Sequence, residues 1–166
     1  MKKTNVKRAL KTLAKGNNRI MFEQLENKRY MLTDGRIIVT VSETDFNEHK
    51  ELFKELCETD LSRTALKEAS AKTKSVRVTT VSIQIGEHTA RVVKADNCLG
   101  AVNEMFLDVF YDLGLDFYFE TREEQTDKIK CPLFQSMVVN GKVENFNAIL
   151  PINVDVKGCL ERILDI

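Results

Sequence analysis

Six cations and no acid lie within the first fifteen residues, the sharpest concentration of charge in the chain. Lys7, Lys11 and Lys15 are spaced four residues apart, so on a helix they project as one stripe opposite the apolar residues. Such a stripe can neutralise phosphates without reading base sequence, and counterion release then supplies the affinity. The alternative is a lysine-rich helix face that is simply solvated. The candidate DNA-binding residues are Lys3, Lys7, Arg8, Lys11 and Lys15.

A second helical segment carries a stripe of the opposite sign. Glu104, Asp108 and Asp112 follow the same four-residue spacing. If both helices faced one surface, these carboxylates would repel DNA rather than guide it. The charge pattern therefore contains one argument for a phosphate-facing role and one against it.

Catalytic chemistry finds little support in the sequence. It contains no nucleophile elbow, no HExxH metal motif, no P-loop and no dinucleotide-binding glycine fingerprint. His49 and His88 stand far apart, and the four cysteines are widely spaced without a CxxC pair. We therefore expect free thiols, no metal site, no cofactor and no enzymatic activity.

The composition is that of an ordinary soluble globular protein. The 166 residues are 43% apolar and 30% charged, which is enough for one domain with a substantial core. The 25 basic residues balance the 25 acidic ones, so nucleic-acid binding would have to come from a local patch. No run approaches membrane-spanning length and no apolar signal segment begins the chain, so we expect a cytoplasmic protein without membrane partners.

Hydrophobic periodicity predicts the elements that would position these residues. One amphipathic helix is predicted for residues 4–15 and another for residues 103–113, with Asn103 as the N-cap of the second. Together they predict an α+β fold with two helices packed on one face of an antiparallel sheet. The predicted strands are separated by turns containing Gly or Asn and occupy residues 19–25, 28–32, 36–41, 76–85, 89–93 and 115–120.

Residues 44–75 interrupt the strand pattern. They lack a β-branched run and are rich in Glu, Lys, Leu and Ala, which favours a helix or a helical pair. Phe46, Phe53, Leu56 and Cys57 would share one helix face. The sequence therefore predicts a peripheral helical insertion.

The run from Cys131 to Asn153 contains the strongest hairpin signal, because Asn140-Gly141 suits the positive φ angles of a type I′ turn. Its second strand ends at Ile149-Leu-Pro-Ile152, and a proline belongs at such a strand end. The order of helix, strand, Pro-Leu strand, turn and Leu-Pro-Ile strand resembles the end of a bacterial DNA sliding-clamp subunit. Met31-Leu-Thr-Asp-Gly-Arg-Ile-Ile-Val39 resembles a strand of the middle domain in that family.

The resemblance implies one clamp-like domain at residues 1–155, in which a helix and three strands occur twice, followed by a tail at residues 156–166. A clamp subunit strings three such domains together, and the insertion at residues 44–75 is foreign to its pattern. In clamps the two matched segments line the pocket that receives clamp-binding peptides. The partner-peptide residues implied here are Thr33, Gly35, Arg36, Leu150, Pro151 and Ile152.

Three functional hypotheses follow. In the first, the chain is a non-catalytic accessory of DNA replication or maintenance, encoded by a mobile element, that binds duplex DNA non-specifically as a homo-oligomer and docks peptides of replication or repair proteins. The alternative is a protein-interaction or regulatory module that keeps the fold without encircling DNA. A small-ligand-binding protein or an unrecognised enzyme is the third hypothesis.

Overall fold

The computed structural model describes residues 4–16, 19–61, 73–75, 77–95, 98–115, 118–120, 137–139, 147–150 and 152. In these ranges the α-helices are α1 (Val6–Gly16), α2 (Glu43–His49) and α3 (Glu104–Asp112), and a 3-10 turn (Lys50–Leu52) follows α2. The strands are β1 (Arg19–Gln24), β2 (Arg29–Thr33), β3 (Ile37–Ser42), β4 (Glu55–Glu58), β5 (Thr73–Ser75), β6 (Arg77–Ile85), β7 (His88–Ala95), β8 (Cys98–Asn103), β9 (Tyr118–Glu120), β10 (Met137–Val139) and β11 (Asn147–Ile149). None of the helices in these ranges has the length and apolar character needed to cross a membrane.

The strands form two sheets. The larger has eight strands in the order β4-β1-β2-β3-β11-β10-β9-β5, and the smaller has three in the order β6-β7-β8. Neighbouring strands run antiparallel throughout, apart from the parallel pair β1 and β4. The chain therefore has the α+β architecture that the sequence predicts.

Among the described residues, two of the helices are each followed in the chain by three strands of the larger sheet. α1 precedes β1, β2 and β3, and α3 precedes β9, β10 and β11. The two triplets join where β3 pairs with β11, with Ile37 opposite Ile149. Fully buried Asn147 reinforces this junction, because its Oδ1 accepts the N–H of Thr40 at 2.8 Å.

One hydrophobic core is shared by α1, α3 and both sheets. The apolar stripe of α1 enters it through Leu10 and Leu13, and α3 enters it through Phe106 and Phe110. The Oδ1 of Asn103 accepts the N–H of Met105 at 3.0 Å, which confirms the predicted N-cap of α3. The core residues buried in both sheets are Ile20, Leu32, Ile37, Val39, Val41, Val93, Val102 and Ile149.

The prediction of a helix through Leu56 and Cys57 is wrong. Residues 43–52 are helical, but Glu55–Glu58 form β4, which pairs in parallel with β1 so that Arg19 lies opposite Glu55. Phe46 of α2 and Phe53 are buried in the main core, so this segment is not peripheral. Their burial and the pairing with β1 override the local helix preference of the segment. Thr73–Ser75 is also a strand, and residues 62–72 lie outside the described residues.

The strands on either side of Asn140-Gly141 pair antiparallel, as predicted, but in a different register. Val139 lies opposite Asn147, so the connection spans residues 140–146. A two-residue turn would have placed Lys142 opposite Val139. The register agrees with the buried contact that Asn147 makes on β3. Asn140 and Gly141 lie outside the described residues, as do Lys3, Pro151 and the predicted tail.

Candidate functional site

Arg36, Leu150 and Ile152, which come from distant parts of the sequence, line one pocket of about 290 Å³. Two backbone hydrogen bonds hold the segment that follows β11, one at Leu150 and one at Ile152. The N–H of Leu150 donates to the carbonyl of Arg36 at 2.8 Å, and the N–H of Ile152 donates to Ala101 of β8 at 2.8 Å. The remaining lining residues come from the smaller sheet and α3 and are Ile85, His88, Asn103 and Phe106.

Leu150 is a large apolar residue that is 51% exposed. Its backbone N–H is bound by the carbonyl of Arg36, and the residue lines the pocket. An exposed leucine beside an apolar pocket gives a partner a site at which apolar surface can leave water.

Asp34 positions Arg36. The side chain of Asp34 is fully buried, and its Oδ1 accepts the N–H of Arg36 at 2.8 Å and of Ile37 at 3.2 Å. Its Oδ2 lies 2.8 Å from an Nη of Arg36, and the guanidinium lies 5.0 Å from the ring centre of Phe106. The guanidinium is thus held by a carboxylate and an aromatic face, and it forms a preorganised wall of the pocket.

Thr33 and Gly35 shape the turn that carries Arg36 and do not line the pocket. Thr33 is buried, and its Oγ1 accepts the N–H of Gly35 at 2.9 Å. Gly35 has a φ of +94°, a conformation that residues with a Cβ rarely adopt. The Thr-Asp-Gly-Arg motif therefore acts as a unit in which three residues aim the fourth.

A second, more polar cavity of about 540 Å³ adjoins the pocket. The two share Arg36, His88 and Asn103 as lining residues. We refer to the pocket and this cavity together as the groove. The cavity is further lined by residues from the C-terminal end of α1, the turn between β6 and β7, the start of β7 and the first half of α3, namely Lys15, Glu87, Thr89, Glu104, Met105 and Asp108.

The fold separates Arg8 from the other candidate DNA-binding residues of α1. Lys7, Lys11 and Lys15 are exposed and have no ion-pair partner among the described residues. Arg8 instead binds Asp112 of α3 through Nε at 2.9 Å and Nη2 at 2.5 Å. This hydrogen bond raises the pKa of Arg8 and ties α1 to α3, so Arg8 has a structural role that the charge pattern did not show.

The acidic stripe of α3 is also largely neutralised within the chain. Glu104 accepts the hydroxyl of Ser82 at 2.5 Å and a hydrogen bond from Arg91 at 2.9 Å, and these contacts, Ser82 first, hold its pKa below the usual range. Asp112 is buried against its arginine. Partial burial, followed by repulsion from Asp112 and Glu104, raises the pKa of Asp108. Asp108 is therefore the main remaining source of the repulsion of DNA that this acidic stripe was expected to cause.

Sequence reasoning did not assign four of the pocket's lining residues to a binding site. His88 was noted only as an isolated histidine, yet it lines both cavities. Its place at the start of β7, immediately after the Gly86-Glu87 turn, was the available signal. Ile85, Asn103 and Phe106 were predicted as strand, cap and core residues, and a residue of the core surface can be assigned to a pocket only once its neighbours are known.

On α2, Asp45, Glu48 and His49 bring possible metal-ligand atoms within 4.8 Å of one another. Asp45 already has a structural function, because its Oδ2 accepts the hydroxyl of Ser42 at 3.0 Å while the Oγ of Ser42 accepts the N–H of Asp45 at 3.1 Å. This reciprocal cap accounts for the acid at the start of α2.

The groove combines an apolar pocket and a fixed guanidinium with a polar cavity that is lined by three carboxylates and a lysine. Such an arrangement suits recognition of a short segment with one apolar anchor and neighbouring polar groups. Comparison of the chain with protein-family models, with curated proteins and with solved structures found no match.

Proposed function

We propose that the chain is a non-catalytic binding module whose groove docks a peptide segment of a protein partner. The observation that carries the proposal is the pocket formed by Arg36, Leu150 and Ile152. These residues belong to the two segments that resemble the peptide-binding pocket of sliding clamps. The two segments lie more than one hundred positions apart in the sequence, and residues of both line the same pocket.

The pocket is sized for one or two side chains of a partner. Its volume of about 290 Å³ is near the lower end of the range of small-molecule sites. Leu150 is half-exposed, so covering it would contribute about 1 kcal/mol through removal of apolar surface from water. Such a contribution suits a weak and reversible anchor, with further affinity drawn from the rest of the groove.

The sliding-clamp resemblance supports a setting in DNA replication or maintenance, where the partners would be replication or repair proteins. A clamp-like role in that setting requires a closed ring, and a single domain would form one through self-assembly. A module that binds protein segments without encircling DNA needs no ring. The mass of the chain in solution, measured by light scattering with and without duplex DNA, separates these two forms of the proposal.

Peptide docking can be tested by selecting from a displayed library of random twelve-residue peptides on the full chain. Peptides that bind the pocket should lose affinity for Leu150→Ser. The matched control is Tyr111→Ser, because Tyr111 is the other large hydrophobic residue reported as exposed, at 46%, and lines neither cavity. If the selected peptides bind both variants as well as the unmodified chain, or if none is selected, the proposal is wrong.

Duplex DNA is the second candidate ligand, and the exposed stripe of Lys7, Lys11 and Lys15 favours it. With three lysines facing phosphates, log affinity should fall with log salt at a slope of roughly −2.7. The Arg8–Asp112 pair reduces the expected strength, because Arg8 is already bound to a carboxylate.

Fluorescence anisotropy with a labelled duplex at about 50 mM salt tests this second candidate. The double variant Lys7→Glu, Lys11→Glu should abolish binding without unfolding α1, since both side chains are exposed. Binding that is unchanged in this variant, or absent in the unmodified chain, would remove DNA from the proposal and leave the peptide groove.

A further inference from the structure

The three carboxylates of α3 are not equivalent. Glu104 is paired with Arg91, and Asp112 is paired with Arg8, each through a direct ion pair. Asp108 lies between them on the same helix face and has no ion pair or hydrogen bond among the described residues. Asp108 is thus an acid without a direct ion pair between two acids that are each paired with an arginine.

Asp108 lines the polar cavity of the groove, next to the apolar pocket. Among the ionisable groups of that cavity, Arg36 is held by Asp34 and Glu104 by Arg91. The titratable and charged groups that line this cavity or act on the charge of Asp108 come from α1, α3, β7 and the surrounding turns. They are Arg8, Lys15, Arg36, Glu87, His88, Arg91, Glu104 and Asp112.

We propose that the partner segment carries a lysine or arginine that pairs with Asp108, beside the apolar residue that enters the pocket. The proposal rests on the proposed function, because it places this cation in the same groove. It specifies the partner as a short basic and apolar segment, in contrast to an acidic one.

The electrostatic surroundings of Asp108 support this choice of charge. Partial burial of Asp108 and repulsion from Asp112 and Glu104 disfavour its ionised form, and the attraction of Arg8 and Arg91 is smaller than these effects. A cation from the partner would stabilise the ionised carboxylate and lower its pKa. The same contact would be unfavourable for a glutamate or aspartate of the partner.

Lys15 provides an internal test, because it lines the same cavity on the side of α1. Its exposed ammonium would repel a partner's cation that enters this cavity. Removing Lys15 should therefore strengthen binding of a basic segment, whereas removing Asp108 should weaken it. Opposite effects of two substitutions in the same cavity are not expected from a merely structural disturbance.

The experiment uses the pocket-dependent peptides from the twelve-residue library. Lysine or arginine should be enriched at a fixed distance from the apolar anchor, and the leading peptide is resynthesised with glutamine and with glutamate at that position. Dissociation constants are then measured by anisotropy for the unmodified chain, Asp108→Asn, Asp108→Lys and Lys15→Gln. Glu48→Gln on α2 serves as the control, since Glu48 is exposed and lines neither cavity.

The basic peptide should lose roughly 2- to 5-fold in affinity on Asp108→Asn, the effect of one exposed charge pair. Its glutamine version should bind both proteins equally. Asp108→Lys should prefer the glutamate version, and Lys15→Gln should bind the basic peptide more tightly than the unmodified chain does.

Two failures are distinguishable. If peptides depend on Leu150 but show no basic enrichment and no sensitivity to Asp108→Asn, the inference about the partner's charge is overturned and the groove remains. If no selected peptide depends on Leu150, the proposed function is overturned, and the present inference with it.

Discussion

Replacing Asn147 by alanine should weaken the junction between the two halves of the larger sheet. Asn147 is fully buried in β11, and its Oδ1 accepts the N–H of Thr40 on β3 at 2.8 Å. Alanine would leave that buried N–H without this acceptor, at a cost of about 1–3 kcal/mol. In a chain of this length each kcal/mol lowers Tm by roughly 2–4 °C, so a decrease of roughly 2–12 °C is expected.

Denaturant unfolding measures the free energy, and amide hydrogen exchange reports on the Thr40 N–H itself, which should exchange faster in the variant. Asn47→Ala is the matched control, because Asn47 is exposed on α2 and its loss should change stability by less than about 0.5 kcal/mol. A loss for Asn147→Ala below about 0.5 kcal/mol, with Thr40 exchange unchanged, would refute the reasoning.

Replacing Phe110, which is fully buried in the main core, by alanine should cost about 3–5 kcal/mol in denaturant unfolding. Deleting residues 44–75 should abolish the cooperative thermal transition, since that segment supplies β4 and two core phenylalanines. The hydrogen bond from the Ser82 hydroxyl is the main cause of the lowered pKa of Glu104. Because that pKa is lowered in the folded chain, Glu104 stabilises the fold at pH values above its unfolded pKa, and this stabilisation is lost as pH falls through its folded pKa. Glu104→Gln should therefore unfold with a weaker pH dependence in acid. The pKa of Asp108 is raised in the folded chain, so its contribution to the stability of the fold decreases as pH rises from its unfolded pKa to its folded pKa. Asp108→Asn should therefore increase Tm at pH 7 but not at pH 2.

The parts of the fold that sequence reasoning predicted correctly are those encoded by local periodicity. The apolar stripes of α1 and α3 and the alternation of β1, β2 and β3 predicted these elements to within about two residues, because helix and strand periods differ clearly. β4 was missed because Glu-Leu-Cys-Glu contains no β-branched residue. Its strand conformation comes from pairing with β1, which is a non-local contact.

The hairpin register shows the same limit. Asn140-Gly141 is a strong local turn signal, but the observed register places Val139 opposite Asn147. That register lets the asparagine side chain bond to β3, and no property of the Asn-Gly pair encodes such a distant contact. Local turn preference therefore predicted which strands pair, and tertiary packing determined how they align.

The sequence predicted those residues of the candidate site that belong to a short motif. It did not predict the contacts between residues that are far apart in the sequence. The Thr-Asp-Gly-Arg and Leu-Pro-Ile motifs pointed to Arg36, Leu150 and Ile152. The spacing of charges on α1 correctly indicated a cationic face, but Arg8 and Asp112 are 104 positions apart, and spacing alone does not identify a partner at that distance. Phe106 was assigned to the core and also forms a wall of the pocket.

The pairing of β3 with β11 has a consequence for synthesis of the chain on the ribosome. Thr40 and Asn147 are separated by 107 positions, which corresponds to roughly 5–20 s of translation at typical rates. During that interval the edge of β3 that β11 later covers has no native neighbour, although β1, β2 and α1 are already available. We expect the nascent chain to be most vulnerable to association with other chains in this window, and to lose that vulnerability when residue 149 emerges.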